Sequence, residues 1–329
     1  MDQDAPAVGI DDPIATGTDR LDPETAEKAR AAREDLAARD GVLVAFSGGV
    51  DSSVVAALAH DALGEDAVAC TARSETLPAA ELDDAKRVAG EIGIRHDTVT
   101  FSELDDPNFV ANDGDRCYHC RTMRLGRMYD RARELGIGTV CDGTNADDPG
   151  EGHRPGLRAV EELDVSSPLL DAGITKPEVR EIAEAYGLSV ADKPSMACLS
   201  SRIPTGLEVT EARLSRVERA ETILREWGFE GFRVRDHDGL ARVEIAPDEL
   251  ERALDPAFAD AVHEHLTDVG FEYVTLDMAG YRTGSVSPGG DTDDGTVGSV
   301  DDGTGEGDSE ESDDADEGDA LDLDRRYPR

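Results

Sequence analysis

The chain has 329 residues, of which 74 are Asp or Glu and 33 are Lys or Arg, so its formal net charge at pH 7 is −41. This length is sufficient for two domains of ordinary size. The acidic composition argues against general binding to a nucleic-acid backbone, which needs a positive face. We interpret it as an adaptation to concentrated salt, where charge repulsion is strongly screened.

The sequence also argues against a secreted or membrane-spanning protein. It has no charged start followed by an apolar core, and no stretch approaches the roughly 18 apolar residues of a membrane span. We therefore expect a cytoplasmic protein. Five cysteines, an odd number without a secretion signal, argue against a disulfide framework and leave metal binding, catalysis or burial open.

The first two thirds of the chain alternate between strand and helix patterns. Residues 1–20 lack periodicity and predict a flexible arm. The predicted elements are a helix over 24–40, strands over 42–46, 67–72, 95–101 and 139–142, and helices over 78–92 and up to about 136. This alternation predicts an α/β domain over residues 21–204, with a doubly wound parallel sheet that binds its ligand at the carboxyl ends of the strands.

The pattern changes in the last third of the chain. Thr175 and Glu178 form a capping box that starts a helix ending near 186, and residues 193–202 are predicted to be a loop. Residues 205–285 predict a smaller α+β domain, with helices over 210–227 and 257–269 and strands over 232–237, 241–246 and 273–278. Residues 286–329 have almost no large apolar side chains and predict a disordered acidic tail.

A glycine turn follows the first predicted strand and leads directly into a helix. Glycines there let backbone N–H groups approach a ligand, and hydroxyls in the first helical turn add to a site that favours anions. No lysine follows the second glycine, which excludes a Walker-type loop, and an ordinary glycine turn would not need three serines and an aspartate. The residues predicted to hold a nucleotide phosphate are Ser47, Gly48, Gly49, Asp51, Ser52 and Ser53.

Three cysteines are candidates for chemistry. Cys117 and Cys120 form a C-x-x-C pair, which is consistent with a metal or iron–sulfur role, a redox pair or a structural role. Cys198 lies near Lys193 and Arg202, a basic setting that favours the nucleophilic thiolate.

The remaining cysteines and the histidine between the pair are expected to be structural. Cys70 and Cys141 lie within apolar strands, where buried cysteine is common. His119 is interpreted as a polar loop residue and not a ligand.

Polar side chains in two other segments could bind a ligand. Asp142, Asn145, Asp147 and Asp148 follow a strand and could line a nucleotide and Mg²⁺ site. Asp147 taken by itself is interpreted as a solvated loop residue. Arg233 and Arg235 alternate along a strand and share a face, which suits either an anion or a solvated edge strand.

Taken together, the motifs resemble those of one enzyme family. The stretch S-G-G-V-D-S-S resembles the PP-loop of ATP pyrophosphatases. Over residues 25–285 the chain resembles the LarE family, ATP-dependent sulfur transferases that make the nickel-pincer cofactor of lactate racemase. The motifs are R-C-Y-H-C-R (116–121), D-G-T-N-A-D-D (142–148), R-P-G-L-R-A (154–159), K-P-S-M-A-C-L-S-S-R-I-P (193–204), R-V-R-D-H (233–237) and G-Y-R-T-G-S (280–285).

The resemblance implies a reaction. ATP, with Mg²⁺, adenylates a carboxylate of pyridinium-3,5-biscarboxylic acid mononucleotide, and a sulfur nucleophile then displaces AMP to give a thiocarboxylate. In the simplest members the cysteine matching Cys198 gives up its own sulfur; in others, cysteines matching Cys117, Cys120 and Cys198 hold a [4Fe-4S] cluster.

The implied roles of other residues follow from the same resemblance. The phosphate loop, Asp142 and Asn145 would bind ATP, Asp51 and Asp148 are candidates for Mg²⁺, and Arg202, Arg233 and Arg235 are candidates for the substrate's phosphate and carboxylates.

Other functions remain open from the sequence. A PP-loop tRNA thiolase, an amide-forming ligase and an ATP-binding module without chemistry would all contain the phosphate loop. The acidic surface argues against tRNA, and no glutaminase domain is recognisable. We expect a small-molecule nucleotide as the substrate, other nickel-pincer biosynthesis proteins as partners, a homo-oligomer, and neither nucleic-acid nor membrane binding.

Overall fold

The computed structural model of the protein describes residues 21–150, 155–193 and 197–281. The predicted arm (1–20) and acidic tail (286–329) lie outside the described residues, as do residues 151–154, 194–196 and 282–285, which include parts of three of the motifs. Among the described helices, none is long and apolar enough to cross a membrane.

The chain forms helices and strands in the following order. The first part contains α1 (Pro23–Ala37), β1 (Val42–Ala45), α2 (Val50–Leu63), β2 (Ala67–Arg73), α3 (Ala79–Ile92), β3 (Arg95–Thr100), α4 (Pro107–Ala111), α5 (Arg116–Leu135) and β4 (Thr139–Cys141). The second part contains α6 (Pro155–Glu162), α7 (Pro168–Asp171), α8 (Lys176–Ala185), α9 (Glu211–Glu226), β5 (Phe232–His237), β6 (Leu240–Ile245), α10 (Leu250–Ala253), α11 (Pro256–Asp268) and β7 (Tyr273–Leu276).

The first sheet is parallel, with strand order β3-β2-β1-β4. Successive residues of β1 face opposite sides, so Val42 and Val44 pack into one buried cluster and Leu43 into another. The first cluster includes apolar residues of α1, α2, α3 and α8, and the second those of α5 and α6. Helices therefore cover both faces, which confirms the predicted doubly wound α/β sheet.

The second sheet is mixed, with strand order β5-β6-β7. β5 and β6 are antiparallel and are joined by Asp238 and Gly239, both at positive φ, as a two-residue hairpin turn requires. β7 runs parallel to β6. Apolar residues of α9 and α11 pack with this sheet into one core, which also takes in Leu199 and Ile203 from the turn after Cys198.

Two sequence-based predictions about local structure are wrong. The C-x-x-C pair and His119 were expected before a helix, but α5 begins at Arg116, so they lie in its first two turns. The segment predicted to be a loop over 193–202 ends in a 3-10 helix, Leu199–Arg202. The short helices α4, α6, α7 and α10 were not predicted, because they are too brief to show a clear apolar period.

Candidate active site

The phosphate loop lies between β1 and α2, at the carboxyl end of the sheet. The Ser47 backbone N–H donates to Ser52 Oγ at 3.2 Å, and the Gly49 N–H donates to Ser47 Oγ at 3.3 Å. Ser53 is completely buried, and its hydroxyl donates to the Gly49 carbonyl oxygen at 2.8 Å. The hydroxyls of Ser47 and Ser52 therefore line the large cavity described below, whereas that of Ser53 stabilises the start of the helix.

Two glycines allow close packing around this loop. Gly48 has φ of +72°, and a Cβ there would lie 2.7 Å from the Cα of Ala85 in α3. A Cβ on Gly143 would lie 2.8 Å from the backbone nitrogen of Ser52. Neither position can accept a side chain without backbone movement, because the nearest atoms belong to main chain.

Asp51 lies in the first turn of α2 and is held by two side chains. Lys176 Nζ lies 2.5 Å from Asp51 Oδ2, and Asn145 Nδ2 donates to Oδ1 at 3.1 Å. Asp148 accepts the Asn145 backbone N–H at 2.8 Å and lines the same cavity as Asp51. The structure thus brings together Asp51, Asn145 and Asp148, and adds Lys176, which we did not predict.

Asp142 is buried and fully engaged by neighbouring protein groups. It accepts hydrogen bonds from the Thr144 N–H and hydroxyl, from Ser167 Oγ at 2.8 Å and from the guanidinium of Arg121. Asp142 therefore orients Arg121 at the cavity wall. Asp147 is exposed, in agreement with its interpretation as a solvated loop residue.

Two cavities meet at the phosphate loop. The larger, of about 530 Å³, is lined by Ser47, Asp51 and Ser52 and by all three candidate cysteines: Cys117, Cys120 and Cys198. The smaller, of about 170 Å³, is also lined by Ser47, Asp51 and Cys198, and by Lys176 and Lys193. Residues more than 140 positions apart in the chain therefore share one site.

The turn carrying Cys198 is held from several sides. Arg116 Nη1 donates to the carbonyl oxygen of Ser200 at 2.9 Å, and Arg235 Nη1 donates to that of Ser201 at 2.9 Å. The Leu199 N–H donates to the Thr76 carbonyl oxygen at 3.0 Å. These contacts place the Cys198 turn between α5, the segment after β2, and β5.

Asn112 is a second anchor of this region. It is buried at φ of +56°, and its Nδ2 donates to the carbonyl oxygens of Pro204 and Leu207 at 2.8 and 2.7 Å. Its Oδ1 accepts from Arg116 Nη1 at 2.5 Å. Nothing in the local sequence around Asn112 indicated this role, because the two carbonyl groups that it anchors lie 92 and 95 residues away.

The candidate cysteines have different environments. Burial by itself would raise the pKa of the Cys198 thiol, but the charge of Arg116, the Ser200 hydroxyl and the charge of Arg124 together lower it below its ordinary value. Burial raises the pKa of the Cys120 thiol to about 12. Cys117 is exposed, whereas Cys70 and Cys141 are fully buried, as predicted.

A buried acidic group lies behind Cys120. Glu103 accepts hydrogen bonds from Thr76 Oγ1 at 2.9 Å and from Arg124 Nη2 at 3.0 Å, and Cys120 Sγ lies 3.5 Å from the same carboxylate oxygen. Glu103 thereby balances the charge of Arg124, which lines both cavities. We did not predict either residue, because Glu103 and Arg124 both lie outside the R-C-Y-H-C-R motif.

The three predicted substrate arginines differ in how they are engaged. Arg202 donates to both carboxylate oxygens of Glu221, at 2.9 and 3.1 Å, and Arg235 Nε donates to Glu244 at 2.6 Å. Arg233 is buried with no carboxylate partner among the described residues, and its guanidinium carbon lies 4.8 Å from the Tyr281 ring centre. Burial and the charges of Arg202 and Arg235 lower the pKa of Arg233.

The alternative of a solvated edge strand is wrong for these residues. β5 is at the edge of its sheet, but Arg233 and Arg235 are buried. His119 lies in α5 and not in a loop, with Nε2 at 3.2 Å from Asp115 Oδ2 and Nδ1 at 3.7 Å from Asp106.

Within the described ranges, no group of three or more His, Cys, Asp or Glu side chains is positioned to bind a metal ion. The donor chemistry nevertheless suits the two expected groups. Asp51 and Asp148 provide hard oxygen atoms beside the phosphate loop, which suit Mg²⁺. Cys117, Cys120 and Cys198 line the same cavity, and thiolates are the usual ligands of an iron–sulfur cluster, but the three are not positioned as a metal-binding group.

Several known proteins are similar in sequence to this chain. The asparagine synthase family model matches residues 29–112, which include the phosphate loop. An uncharacterized protein of Synechocystis sp. is 42% identical over 248 residues, covering 75% of this chain and 92% of the relative. The pyridinium-3,5-bisthiocarboxylic acid mononucleotide synthase of Lactiplantibacillus plantarum is 37% identical over 258 residues, which cover 78% of this chain and 91% of the relative. A tRNA-specific 2-thiouridylase of Geobacter metallireducens is 33% identical over 198 residues, which cover 47% of this chain and 53% of the relative.

Proposed function

The chain belongs to the LarE family of ATP-dependent sulfur transferases, and we propose on that premise that it converts a carboxylate of pyridinium-3,5-biscarboxylic acid mononucleotide into a thiocarboxylate. The observation that carries this proposal is the position of Cys198. It lines both cavities together with Ser47 and Asp51 of the phosphate loop. A sulfur atom and a nucleotide-phosphate site therefore share one space, as activation followed by sulfur transfer requires.

The phosphate loop supports the activation step. The backbone N–H groups and hydroxyls at the start of α2 suit the phosphate oxygens of ATP. Phe46, Ala72 and Leu125 line an apolar part of the larger cavity that suits the adenine ring. A substrate carboxylate oxygen would attack the α-phosphorus, and pyrophosphate would leave with the electron pair of the broken P–O bond.

Two lysines support binding of the leaving pyrophosphate. The chain has only four lysines, and Lys176 and Lys193 both line the smaller cavity beside Ser47 and Gly49. Lys176 is paired with Asp51, and Lys193 with Glu81 and Asp84 at 2.9 and 2.8 Å. Mg²⁺ would be held by Asp51 and Asp148, and it would neutralise phosphate charge. In that state Lys176 would be free to contact phosphate oxygens.

The second step transfers sulfur. The Cys198 sulfur would attack the acyl carbon of the adenylate, and AMP would leave as the carbon–oxygen bond breaks, which gives a thioester. Removal of the Cys198 α-proton would then form a Cα=Cβ double bond and break the Cβ–Sγ bond, with the electron pair remaining on sulfur. The products are a thiocarboxylate and dehydroalanine at position 198.

A cluster-dependent version of sulfur delivery is supported by the cysteines. Cys117, Cys120 and Cys198 would hold a [4Fe-4S] cluster, which supplies sulfur chemistry without consumption of the chain when bound. The charges of Arg116 and Arg124 beside the cavity favour the anionic thiolate of Cys198 in either version.

Among the three arginines, Arg233 is the one available for the substrate's phosphate. Arg202 and Arg235 have carboxylate partners and also donate to the Cys198 turn, so they maintain its conformation. Arg233 is buried beside them without such a partner among the described residues, and burying an unpaired cation is costly unless an anion binds there.

The test is to incubate the protein with ATP, Mg²⁺ and the biscarboxylate nucleotide. We expect AMP, pyrophosphate and a thiocarboxylate product from the wild type and from the buried-cysteine control Cys70→Ala. Cys198→Ser removes the transferred sulfur, so no thiocarboxylate should form. Unchanged substrate with no AMP would refute the function and favour an ATP-binding module, whereas activity only with tRNA would favour a thiolase.

The source of sulfur can be identified on the same samples. A mass decrease of about 34 Da at Cys198, the mass of H₂S, supports donation by the cysteine itself. Anaerobically purified protein whose visible absorption requires Cys117, Cys120 and Cys198, with no mass decrease after turnover, supports a cluster. Thiocarboxylate formation with neither signature would contradict both versions.

A further inference from the structure

Arg116 is a buried cation without an acidic partner. Its side chain is at the N-terminus of α5, and the residue is only 9% exposed. Within residues 21–150, 155–193 and 197–281 it donates only to neutral oxygens, those of Asn112 and Ser200, and both bonds come from Nη1. Its Nε and Nη2 have no hydrogen-bond acceptor among these residues.

The other arginines on this wall of the larger cavity are different. Arg121 is paired with Asp142, and Arg124 with Glu103. Arg116, Arg121 and Arg124 all belong to α5, and all three line the cavity. Of these three, only Arg116 has a charge that no carboxylate of the described residues balances.

The position of Arg116 is unfavourable for stability alone. A cation in the first turn of a helix is repelled by the positive end of the helix dipole, and a buried cation loses its hydration. The guanidinium charge and the positive end of the helix dipole together create a positive potential in the cavity. An anion bound there would remove the penalty, which indicates a binding role for this residue.

The location of Arg116 selects the anion. Arg116 is bonded to Ser200, two residues after Cys198, and its charge acts directly on the Cys198 thiol. The phosphate loop contributes Ser47, Asp51 and Ser52 to the same cavity from β1 and α2, and none of its residues is a hydrogen-bond partner of Arg116. The group that must reach the Cys198 sulfur is the carboxyl group of the substrate, and a guanidinium fork matches the planar geometry of a carboxylate.

We propose that Arg116 binds the substrate carboxylate that receives sulfur and holds it against Cys198. This inference rests on the proposed function. When sulfur attacks the acyl carbon, the carbonyl electron pair moves onto oxygen, and Arg116 stabilises that negative oxygen until AMP leaves and the carbonyl re-forms. Asn112 acts as a positioning residue, because it holds the guanidinium through Oδ1.

The test compares two ligands that differ in one charge. Nicotinic acid mononucleotide has a carboxylate on its pyridinium ring, and nicotinamide mononucleotide has a carboxamide of the same shape. We expect the wild type to bind the carboxylate form about 10- to 100-fold more tightly, the range for a charge-assisted hydrogen-bonded pair. In Arg116→Gln the ratio should fall below about 3-fold, and Arg116→Lys should retain part of it because it keeps the charge.

Two matched variants separate binding from structure. Arg233→Gln should weaken both ligands equally, because both carry the phosphate, and should leave their ratio unchanged. Arg127→Gln changes an exposed arginine of the same helix and should alter nothing. Circular dichroism reports whether each variant is folded. If Arg116→Gln is not folded, the affinity ratio of the two ligands in Arg116→Lys decides whether Arg116 binds the carboxylate.

The outcomes are independent of turnover, since binding is measured without ATP. Equal affinity of the wild type for the two mononucleotides, an absence of binding, or an unchanged ratio in folded Arg116 variants overturns the role of Arg116. Failure of the proposed function would instead appear as an absence of AMP and thiocarboxylate with the biscarboxylate nucleotide.

Discussion

Gly48→Ala tests whether the phosphate loop depends on close contact with α3. An L-residue in the left-handed region costs about 1–2 kcal/mol, and Gly48 has φ of +72°. The added Cβ would lie 2.7 Å from the Cα of Ala85. Ala85 is fully buried in the core, so the contact cannot be relieved by moving a flexible side chain, and overpacking of this kind costs about 1–3 kcal/mol.

Together these effects should lower the free energy of unfolding by about 2–5 kcal/mol. The matched control is Gly49→Ala, because Gly49 has φ of −82°, which any L-residue can adopt. The nearest atom to a Cβ there would be the flexible Ser47 hydroxyl at 3.3 Å. Its cost should be about 1 kcal/mol, from loss of a favourable N-cap residue.

The assay is urea denaturation followed by circular dichroism, without ATP and at fixed salt, with ATP affinity measured separately by calorimetry. We expect a clearly lower midpoint for Gly48→Ala than for Gly49→Ala and weaker ATP binding by Gly48→Ala, since any relaxation displaces the loop. A Gly48→Ala protein whose stability lies within about 1 kcal/mol of the wild type would refute the steric argument.

Three further predictions concern other parts of the molecule. Arg202→Met leaves Glu221 buried without its ion-pair partner, so it should lower the free energy of unfolding by about 3–5 kcal/mol in denaturation experiments. A loss below about 1 kcal/mol would contradict a structural role for this ion pair. Although burial opposes it, the hydrogen bond from Lys28 lowers the pKa of Glu178. The ionised Glu178 therefore stabilises the fold above its unfolded pKa of about 4.3, and this stabilisation is lost as the pH falls through the lower folded pKa. The difference in the free energy of unfolding between the wild type and Glu178→Gln should shrink between about pH 5 and pH 3. A difference that stays constant over this range would exclude the linkage. Cys70→Ala should retain wild-type thiocarboxylate yield and lose about 1–2 kcal/mol of stability, and a loss of transfer would show that this buried thiol has a chemical role.

The fold was largely predictable from local pattern. The short apolar strands, their alternation with helices and the capping box at Thr175 each depend on neighbouring residues, and the structure confirms them. Errors occurred where local pattern was weak. The C-x-x-C segment has few apolar residues, so the start of α5 at Arg116 was not evident, although one face of the helix packs against the sheet.

The residue types of the candidate site could be predicted from the sequence, but the hydrogen-bond and ion-pair partners of these residues could not. The phosphate loop, the cysteines and the arginines could be selected because few other chemistries use those residues at that spacing. The difference between Arg233 and its neighbours could not be predicted, because Glu221 and Glu244, which pair with Arg202 and Arg235, come from other elements.

The type of sheet, the phosphate loop and the three thiols within recognisable motifs follow from the amino-acid sequence, because they depend on side-chain period and spacing along the chain. Which groups face one another depends on how the helices and strands pack. Arg116 and Cys198 are 82 positions apart, yet Arg116 donates to the turn that carries Cys198. The packing of α5 against that turn leaves Arg116 without a carboxylate partner among the described residues, and this charge balance depends on burial and distance, which residue order does not specify.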